Sequence, residues 1–424
     1  MSDTRDRPSQ LLSREHVAAC AARQARLSQA LQSQQLDALL ITSEKDIHYL
    51  TGFVGHESLG MALANPTPPA DAAVIISDSR YDEFLEPWRA QKAAGIVMGT
   101  RHRLFESVRD FCNERRVQRL GVQAEHLTIA GRNRLAEVVG AQRLVETTGL
   151  LDNLRRRKDG FEVALIERAI EIAERAMTAA LEKLRPGLSE LEFSAILEYE
   201  MKSRGAMGAS FTPIIGAGPN SSVIHYMTGQ SRIRAGDALL VDWGATLAEG
   251  MNSDLTRTYG VGGGAGGGLP RKLRAVYPIV LEAQLAAIEA IGPGKVCADI
   301  DRVARDVIER AGYGEYFGHG LGHGLGLDVH EGPYFNNLET SIALEPGMVM
   351  TVEPGIYLPG VGGVRIEDNV LVTDDGCRVL SNYPKTLDAA ELNAPAPPAS
   401  ASVSPAPVPP ASVPAARAAS GMRS

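Results

Sequence analysis

Four short apolar runs punctuate the first third of the chain: LDALLIT (36–42), AAVIIS (72–77), GIVMG (95–99) and RLGVQ (119–123). Amphipathic segments separate them, and strands alternating with helical patterns predict an α/β domain. At 150–162 this pattern gives way to LLDNLRRRKDGFE, a charged run that breaks at Gly160 before a long helical pattern begins. We place a domain boundary there, giving units over 1–156 and 157–388.

Beyond the boundary the pattern repeats itself. A helical run, EVALIERAIEIAERAMTAALEKL, leads to Pro186-Gly187 and then to LSELEFSAILEYEMKSRG, which closes at Gly205. A second, RKLRAVYPIVLEAQLAAIEAI, leads to Pro293-Gly294 and KVCADIDRVARDVIERAG, closing at Gly312; both Pro-to-Gly separations are nineteen residues. After each helix pair comes a hairpin pattern, two apolar or β-branched stretches around a turn containing Gly. The first hairpin, DALLVDWGATLAEGMNSDLTRTYGV, bears Asp242 and Asp254 on its arms; the second, GMVMTVEPGIYLPGVGGVRIEDNVLVT, bears Glu353 and Glu367. Pseudo-twofold packing of two such halves would bring the four carboxylates together. Past residue 390 the sequence is rich in Pro, Ala and Ser and too poor in apolar bulk to fold, which predicts a disordered tail over 389–424.

Composition narrows the class. The 424 residues suffice for two or three domains with full cores, and 44% apolar and 22% charged residues describe a globular chain. A formal net charge of -8 with no basic stripe argues against nucleic acid as a partner. No stretch of about 18 apolar residues appears, and the N-terminus, MSDTRDRPSQ, is polar; a cytoplasmic protein without a membrane partner is expected. Four scattered cysteines with no C-x-x-C predict free thiols.

The chemistry concentrates in GHGLGHGLGLDVHEGP, residues 318–333. His319 and His323 stand four apart, the spacing of a helical zinc motif. The five glycines from 318 to 326 would each cost a helix about 1 kcal/mol, so the segment is expected to be extended or looped. An extended chain keeps His319 and His323 on one side and puts His330 on the other unless a bulge intervenes. Ligands must therefore come from elsewhere too. Singly, Asp242 and Asp254 read as turn residues, and Glu353 and Glu367 as partners of Arg257 and Arg365. Together with His323, four carboxylates on core strands make the ligand set expected for two hard or borderline divalent ions, since buried charges are paired or metal-bound.

The ordered motifs SFTPIIGAGPNSSVIHY, GDALLVDWGA, SDLTRTY, FGHGLGHGLGLDVHEGP, MVMTVEPGIY and GGVRIEDNVLVT, with LDALLITSEKDIHYLTGF near the start, resemble the pita-bread metallopeptidases. The likeness is to the Xaa-Pro aminopeptidase and prolidase branch with a creatinase-type N-terminal domain. It implies an α/β N-terminal domain and an α+β pita-bread C-terminal domain with an internal pseudo-twofold repeat. It further implies that Asp242 and Asp254 bind one metal, that Asp254 and Glu367 bridge, and that His323 and Glu353 complete a second site. His225 and His330 match positions that contact the scissile carbonyl, while His319 and Arg365 match positions lining the substrate pocket. Asp242 and Asp254 are twelve residues apart, one more than the family pattern, which we assign to the turn GATLAEG.

The expected activity is hydrolysis of the N-terminal Xaa-Pro bond of peptides by a metal-bridging hydroxide, with Glu353 shuttling the proton. Manganese is the first choice of metal, ahead of cobalt, iron or zinc, and a homodimer is the expected assembly. Prolidase, acting on Xaa-Pro dipeptides, is the rival reading. A non-peptidase hydrolase or lyase on the same scaffold ranks below it, and a non-enzymatic peptide-binding module lower still, because all five ligand positions keep metal-binding side chains.

Overall fold

A computed structural model describes residues 12–67, 72–262 and 269–386. The tail expected over 389–424 lies outside the described residues. In the N-terminal unit, α1 (Arg14–Ser33) starts at Ser13, whose Oγ accepts the His16 N–H at 3.1 Å. A six-stranded sheet follows: β1 (Ala38–Ile41), β2 (Leu59–Leu63), β3 (Ala73–Ser77), β4 (Gly95–Met98), β5 (Leu120–Gln123) and β6 (Leu144–Thr147), in the order β4-β3-β2-β1-β5-β6. Strand β2 runs antiparallel to both neighbours, while the β3–β4, β1–β5 and β5–β6 pairs are parallel. Every residue of β1 and β3 is buried, which is why they read as continuous apolar runs. Strands β2 and β6 fall outside the apolar runs: LGMAL holds a glycine and no β-branched residue, and LVET is short and interrupted by a glutamate.

The C-terminal unit opens with α2 (Gly160–Leu181). Its start is fixed by a reciprocal cap: Asp159 Oδ1 accepts the Glu162 N–H at 2.9 Å and Glu162 Oε2 accepts the Asp159 N–H at 3.0 Å. Then come α3 (Glu190–Ser203), β7 (Gly208–Ala209), β8 (Ile214–Ala217), β9 (Ala238–Trp243), β10 (Ala245–Thr246) and β11 (Leu255–Gly260). The second half has α4 (Arg271–Ala290), α5 (Cys297–Arg310), β12 (Gly322–Gly324), β13 (Glu331–Phe335), β14 (Val349–Val352), β15 (Gly355–Leu358), β16 (Gly362–Arg365), β17 (Asp368–Val372) and β18 (Cys377–Val379). Two main sheets result, β11-β9-β8 and β13-β12-β14-β17-β18.

Hydrogen bonds show that the halves are built alike. The Gly187 N–H donates to Ile233 O at 2.8 Å and the Ile233 N–H to Leu188 O at 2.9 Å; Gly294, Leu344 and Lys295 repeat the pattern at 2.8 and 2.8 Å. Likewise the Gly236 N–H donates to Val261 O and the Val261 N–H to Asp237 O, matched by Gly347, Val372 and Met348. All four glycines, 187, 236, 294 and 347, have positive φ, which only glycine adopts without strain. Counting from this frame, Asp242 and Glu353 are each the sixth residue after their glycine, Gly236 and Gly347.

Charged groups tie the two units together. Arg23 of α1, 2% exposed, donates from Nε to Asp159 Oδ2 at 2.8 Å and from Nη1 to Tyr49 O at 3.0 Å. Arg155, buried at the junction, reaches Asp46 of the first unit at 3.0 Å and Glu331 of β13 at 2.9 Å, and also pairs with Asp328. This anchors the turn that carries His330.

Candidate metal centre

The first carboxylate pair is set by the β9–β11 ladder. Asp242 on β9 faces Thr256, and pairing is unbroken from Trp243–Leu255 to Ala238–Gly260. The surplus residue therefore lies in the 244–254 connection and costs no alternation. Asp254 stands just ahead of β11, its backbone held by Asn369: its N–H donates to Asn369 Oδ1 at 3.3 Å, and Asn369 Nδ2 donates back to Asp254 O.

From the other half, Glu353 follows β14 and its N–H donates to Leu321 O at 2.8 Å. Glu367, between β16 and β17, accepts the Thr256 hydroxyl at Oε2, 2.6 Å away. His323 sits on β12. Its Nδ1 is 3.1 Å from Gly324 O, a group that can only accept, so Nδ1 carries the proton and Nε2 turns to the carboxylates, 3.3 Å from Glu353 Oε1 and 3.6 Å from Asp254 Oδ2.

Three overlapping sets have their ligand atoms within 4.8 Å of one another: Asp242, Asp254 and Glu367; His323, Glu353 and Glu367; and Asp254, His323 and His330. Burial first, and then the neighbouring carboxylates, push the Asp254 and Glu367 carboxyls well above their usual range. Asp242 is raised by burial too, with Arg365 opposing. Burial also pushes Glu353 up, but the His323 hydrogen bond and charge outweigh it and hold the carboxyl down to about 2. His323 is correspondingly raised by Glu353 against its own burial. Asp242 Oδ1 and Glu367 Oε1 are buried and accept no hydrogen bond among the described residues. Oxygen donors left without protein partners, and acids that the chain alone does not neutralise, suit divalent cations.

A pocket of about 410 Å³ brings together all nine residues singled out from the sequence: His225, Asp242, Asp254, His319, His323, His330, Glu353, Arg365 and Glu367. His330 gets there because β12 and β13 form a hairpin with a register shift at His323/Gly324, so it returns alongside His323, ring centroids 4.1 Å apart. Burial first, then the His323 charge, keeps its imidazole below the usual range. His319 donates from Nδ1 to Gly320 O at 2.7 Å and accepts the Tyr357 hydroxyl at Nε2, 2.9 Å away; burial lowers its pKa.

Arg365 lines the pocket, and each of its three nitrogens already makes a hydrogen bond. Nη2 donates to Asp242 Oδ2 at 2.6 Å, Nη1 to Tyr357 Oη at 3.0 Å and Nε to Thr256 Oγ1 at 3.0 Å. The simple pairing of Glu353 with Arg257 is not found: buried Arg257 takes Asp368 at 2.8 Å, and Arg365 takes Asp242. Tyr357, Thr256 and Asn369 were not singled out from the sequence. Their signal was weak, because each acts by bonding a carboxylate residue or a pocket residue distant in sequence.

With this geometry in view, comparisons with known proteins decide the family. The family profile of metallopeptidase family M24 matches residues 164–374, and that of the creatinase/prolidase N-terminal domain matches 23–157. An Xaa-Pro dipeptidase from Pyrococcus horikoshii is 33% identical over 84% of this chain and 96% of its own length. The chain belongs to metallopeptidase family M24.

Solved relatives agree on the architecture. An Xaa-Pro dipeptidase from Bacillus anthracis superposes with a TM-score of 0.80 at 35% identity, covering 87% of this chain and 99% of the other. An X-Pro aminopeptidase from Thermotoga maritima gives 0.75 at 31%, covering 84% and 99%. This M24 chain is a hydrolase with a creatinase-type N-terminal domain and a pita-bread C-terminal domain. Among the described residues no helix is long and apolar enough to cross a membrane.

Proposed function

We propose that the protein is an Xaa-Pro aminopeptidase that removes the N-terminal residue from peptides longer than a dipeptide. The observation that carries the length preference is the engagement of Arg365. It is the one Lys or Arg among the described residues lining the pocket, and its donors face Asp242, Tyr357 and Thr256. A dipeptide substrate places a free carboxylate beside the scissile bond and calls for a cation there; a longer peptide places a neutral amide. The prolidase reading is favoured instead by the Pyrococcus horikoshii and Bacillus anthracis relatives, which carry the name Xaa-Pro dipeptidase.

In this reading Asp242 and Asp254 would hold one divalent ion and His323 and Glu353 the other, with Asp254 and Glu367 serving both. Manganese is favoured by the oxygen-rich donors. When bound, the two ions supply Lewis acidity and a nucleophilic water at neutral pH. Glu353 directs Oε1 to His323, and Oε2, 4.0 Å from Arg365 Nε, makes no hydrogen bond among the described residues and is placed to take a proton and return it to the leaving proline nitrogen. Low-pKa His330 and exposed His225 offer imidazole donors to the carbonyl oxygen as it gains charge. Gly320 O fixes the tautomer of His319 on the pocket wall, leaving Nε2 to accept the Tyr357 hydroxyl.

The deciding experiment loads the purified chain with manganese and compares Xaa-Pro dipeptides with Xaa-Pro-Xaa tripeptides at matched Xaa. Tripeptides are expected to have the higher kcat/KM. Turnover of dipeptides alone would install the prolidase reading, and no turnover of either would remove both.

A further inference from the structure

His225 reaches the pocket from an exposed loop, and its imidazole makes no hydrogen bond among the described residues. The position of the ring is therefore set by the backbone beneath it. One carboxylate makes four of the contacts that hold that backbone. Glu190, the first residue of α3, is 0% exposed. Its Oε1 accepts the Ala217 N–H at 2.9 Å and Asn220 Nδ2 at 2.9 Å; its Oε2 accepts the Tyr226 hydroxyl at 2.8 Å and the Gly229 N–H at 3.4 Å. Main-chain bonds add to the grip, with the Glu190 N–H on Ser231 O at 3.0 Å and the Leu191 N–H on Gly229 O at 2.9 Å. The contacts fall at both ends of the 217–229 segment and on Tyr226, the residue next to His225.

A buried carboxylate is tolerated only when donors compensate its desolvation, and here four do. We infer that Glu190 is a positioning residue for the reaction: it holds the 217–229 loop so that His225 meets the scissile carbonyl. The inference rests on the proposed peptidase reading. A brace that served folding alone would not care whether residue 225 is histidine. A small displacement of a group aimed at the reacting carbonyl, in contrast, costs rate steeply.

Glu190→Gln is the test variant, because it keeps the side-chain size but sets an NH₂ group against two of the four donors. On the full-length manganese-loaded chain, it is expected to lower kcat/KM for an Xaa-Pro tripeptide about ten-fold, with metal content unchanged. Amide hydrogen exchange should quicken in 217–229 and stay unchanged in 238–260. In a His225→Ala background the same substitution should cost nothing further, since its effect passes through the missing ring. Unchanged exchange in the loop, or the full loss reappearing in His225→Ala, overturns the proposal. Should Glu190→Gln fail to fold, Tyr226→Phe removes a single donor and must show a smaller loss with the same non-additivity. A wild-type chain inactive on every Xaa-Pro peptide would sink the functional reading alone, and the exchange measurement would still decide whether Glu190 holds the loop.

Discussion

Arg365 Nη2 lies 2.6 Å from Asp242 Oδ2, so a cation from the second half of the C-terminal unit neutralises a carboxylate of the first. The same guanidinium reaches Tyr357 and Thr256, and Thr256 in turn bonds Glu367. A planar fork serving three acceptors has no ammonium equivalent. Arg365→Gln is expected to lower stability by about 3 kcal/mol, the cost of leaving a buried charge unpaired, and Arg365→Lys, which keeps the charge but loses the fork, to lower it by less. Both should also lose at least about ten-fold in kcat/KM. Urea midpoints and tripeptide kinetics check this; a Lys variant with wild-type values on both would show that the fork geometry is irrelevant.

His323 and His330 stand ring to ring, and the donor sets allow either to serve a metal with Asp254. Tautomer and burial separate them. His323 is buried, with Nδ1 committed to Gly324 O and Nε2 among carboxylates, whereas His330 stands at the pocket mouth, more exposed than His323, with its pKa below the usual imidazole value. His323→Ala is expected to leave less than about one ion per chain by elemental analysis. His330→Ala should keep its metal and lose about 100-fold in kcat, the usual effect of removing one oxyanion donor. The reverse pattern would exchange the two assignments.

The carboxylates were legible because each sits in a hairpin arm whose apolar neighbours force it into the core, and because the Pro-Gly turns betrayed the repeat. Asp242 and Glu353 stand at the same place in each half, and that symmetry is what the spacing of the glycines encodes. Long-range bonds were not legible. Tyr357 meets His319 across 38 residues, and nothing local marks it as a partner. Glu190 looks like an ordinary acidic residue in a helix's first turn, where any carboxylate complements the dipole. Arg365 looked like a pocket cation; only the distances to Asp242, Tyr357 and Thr256 show that each of its three nitrogens already has a partner.

The junction between the units should make stability pH-dependent. Burial pushes Glu162 up to about 7 although Arg23 opposes it, so the folded state holds a proton more tightly than the unfolded chain. Its contribution is full below the unfolded value of 4.5 and is lost as pH rises through about 7, at most on the order of 3 kcal/mol. Asp159 runs the other way. Arg23 holds its carboxyl below 3.8 against burial, so its contribution is present above that value and lost only in stronger acid. Of this pair, only Glu162 acts between pH 5 and 8. Urea midpoints of the wild type should fall across this range, and Glu162→Gln, which can still accept the Asp159 N–H, should flatten the decline. An equal slope in the variant would assign the pH dependence to other groups.

Gly322 tests why the histidine stretch is so rich in glycine. A Cβ at this position would lie 2.1 Å from Thr351 O and 2.8 Å from Thr351 Oγ1, so β12 and β14 could not keep their present approach. The same Thr351 hydroxyl receives the His323 N–H at 3.0 Å, and the Glu353 N–H two residues on donates to Leu321 O at 2.8 Å. Separating the strands therefore moves His323 away from Glu353 as well as straining the sheet. Gly322→Ala is expected to cost about 3 kcal/mol by overpacking and to lower the number of bound ions, read together from urea midpoints and elemental analysis. Gly376→Ala, where nothing lies within 4 Å of the added methyl, is the control and should stay within about 0.5 kcal/mol of wild type. If Gly322→Ala keeps its metal and its midpoint, close backbone approach is not the reason for that glycine, and the link between the glycine run and the placement of His323 fails.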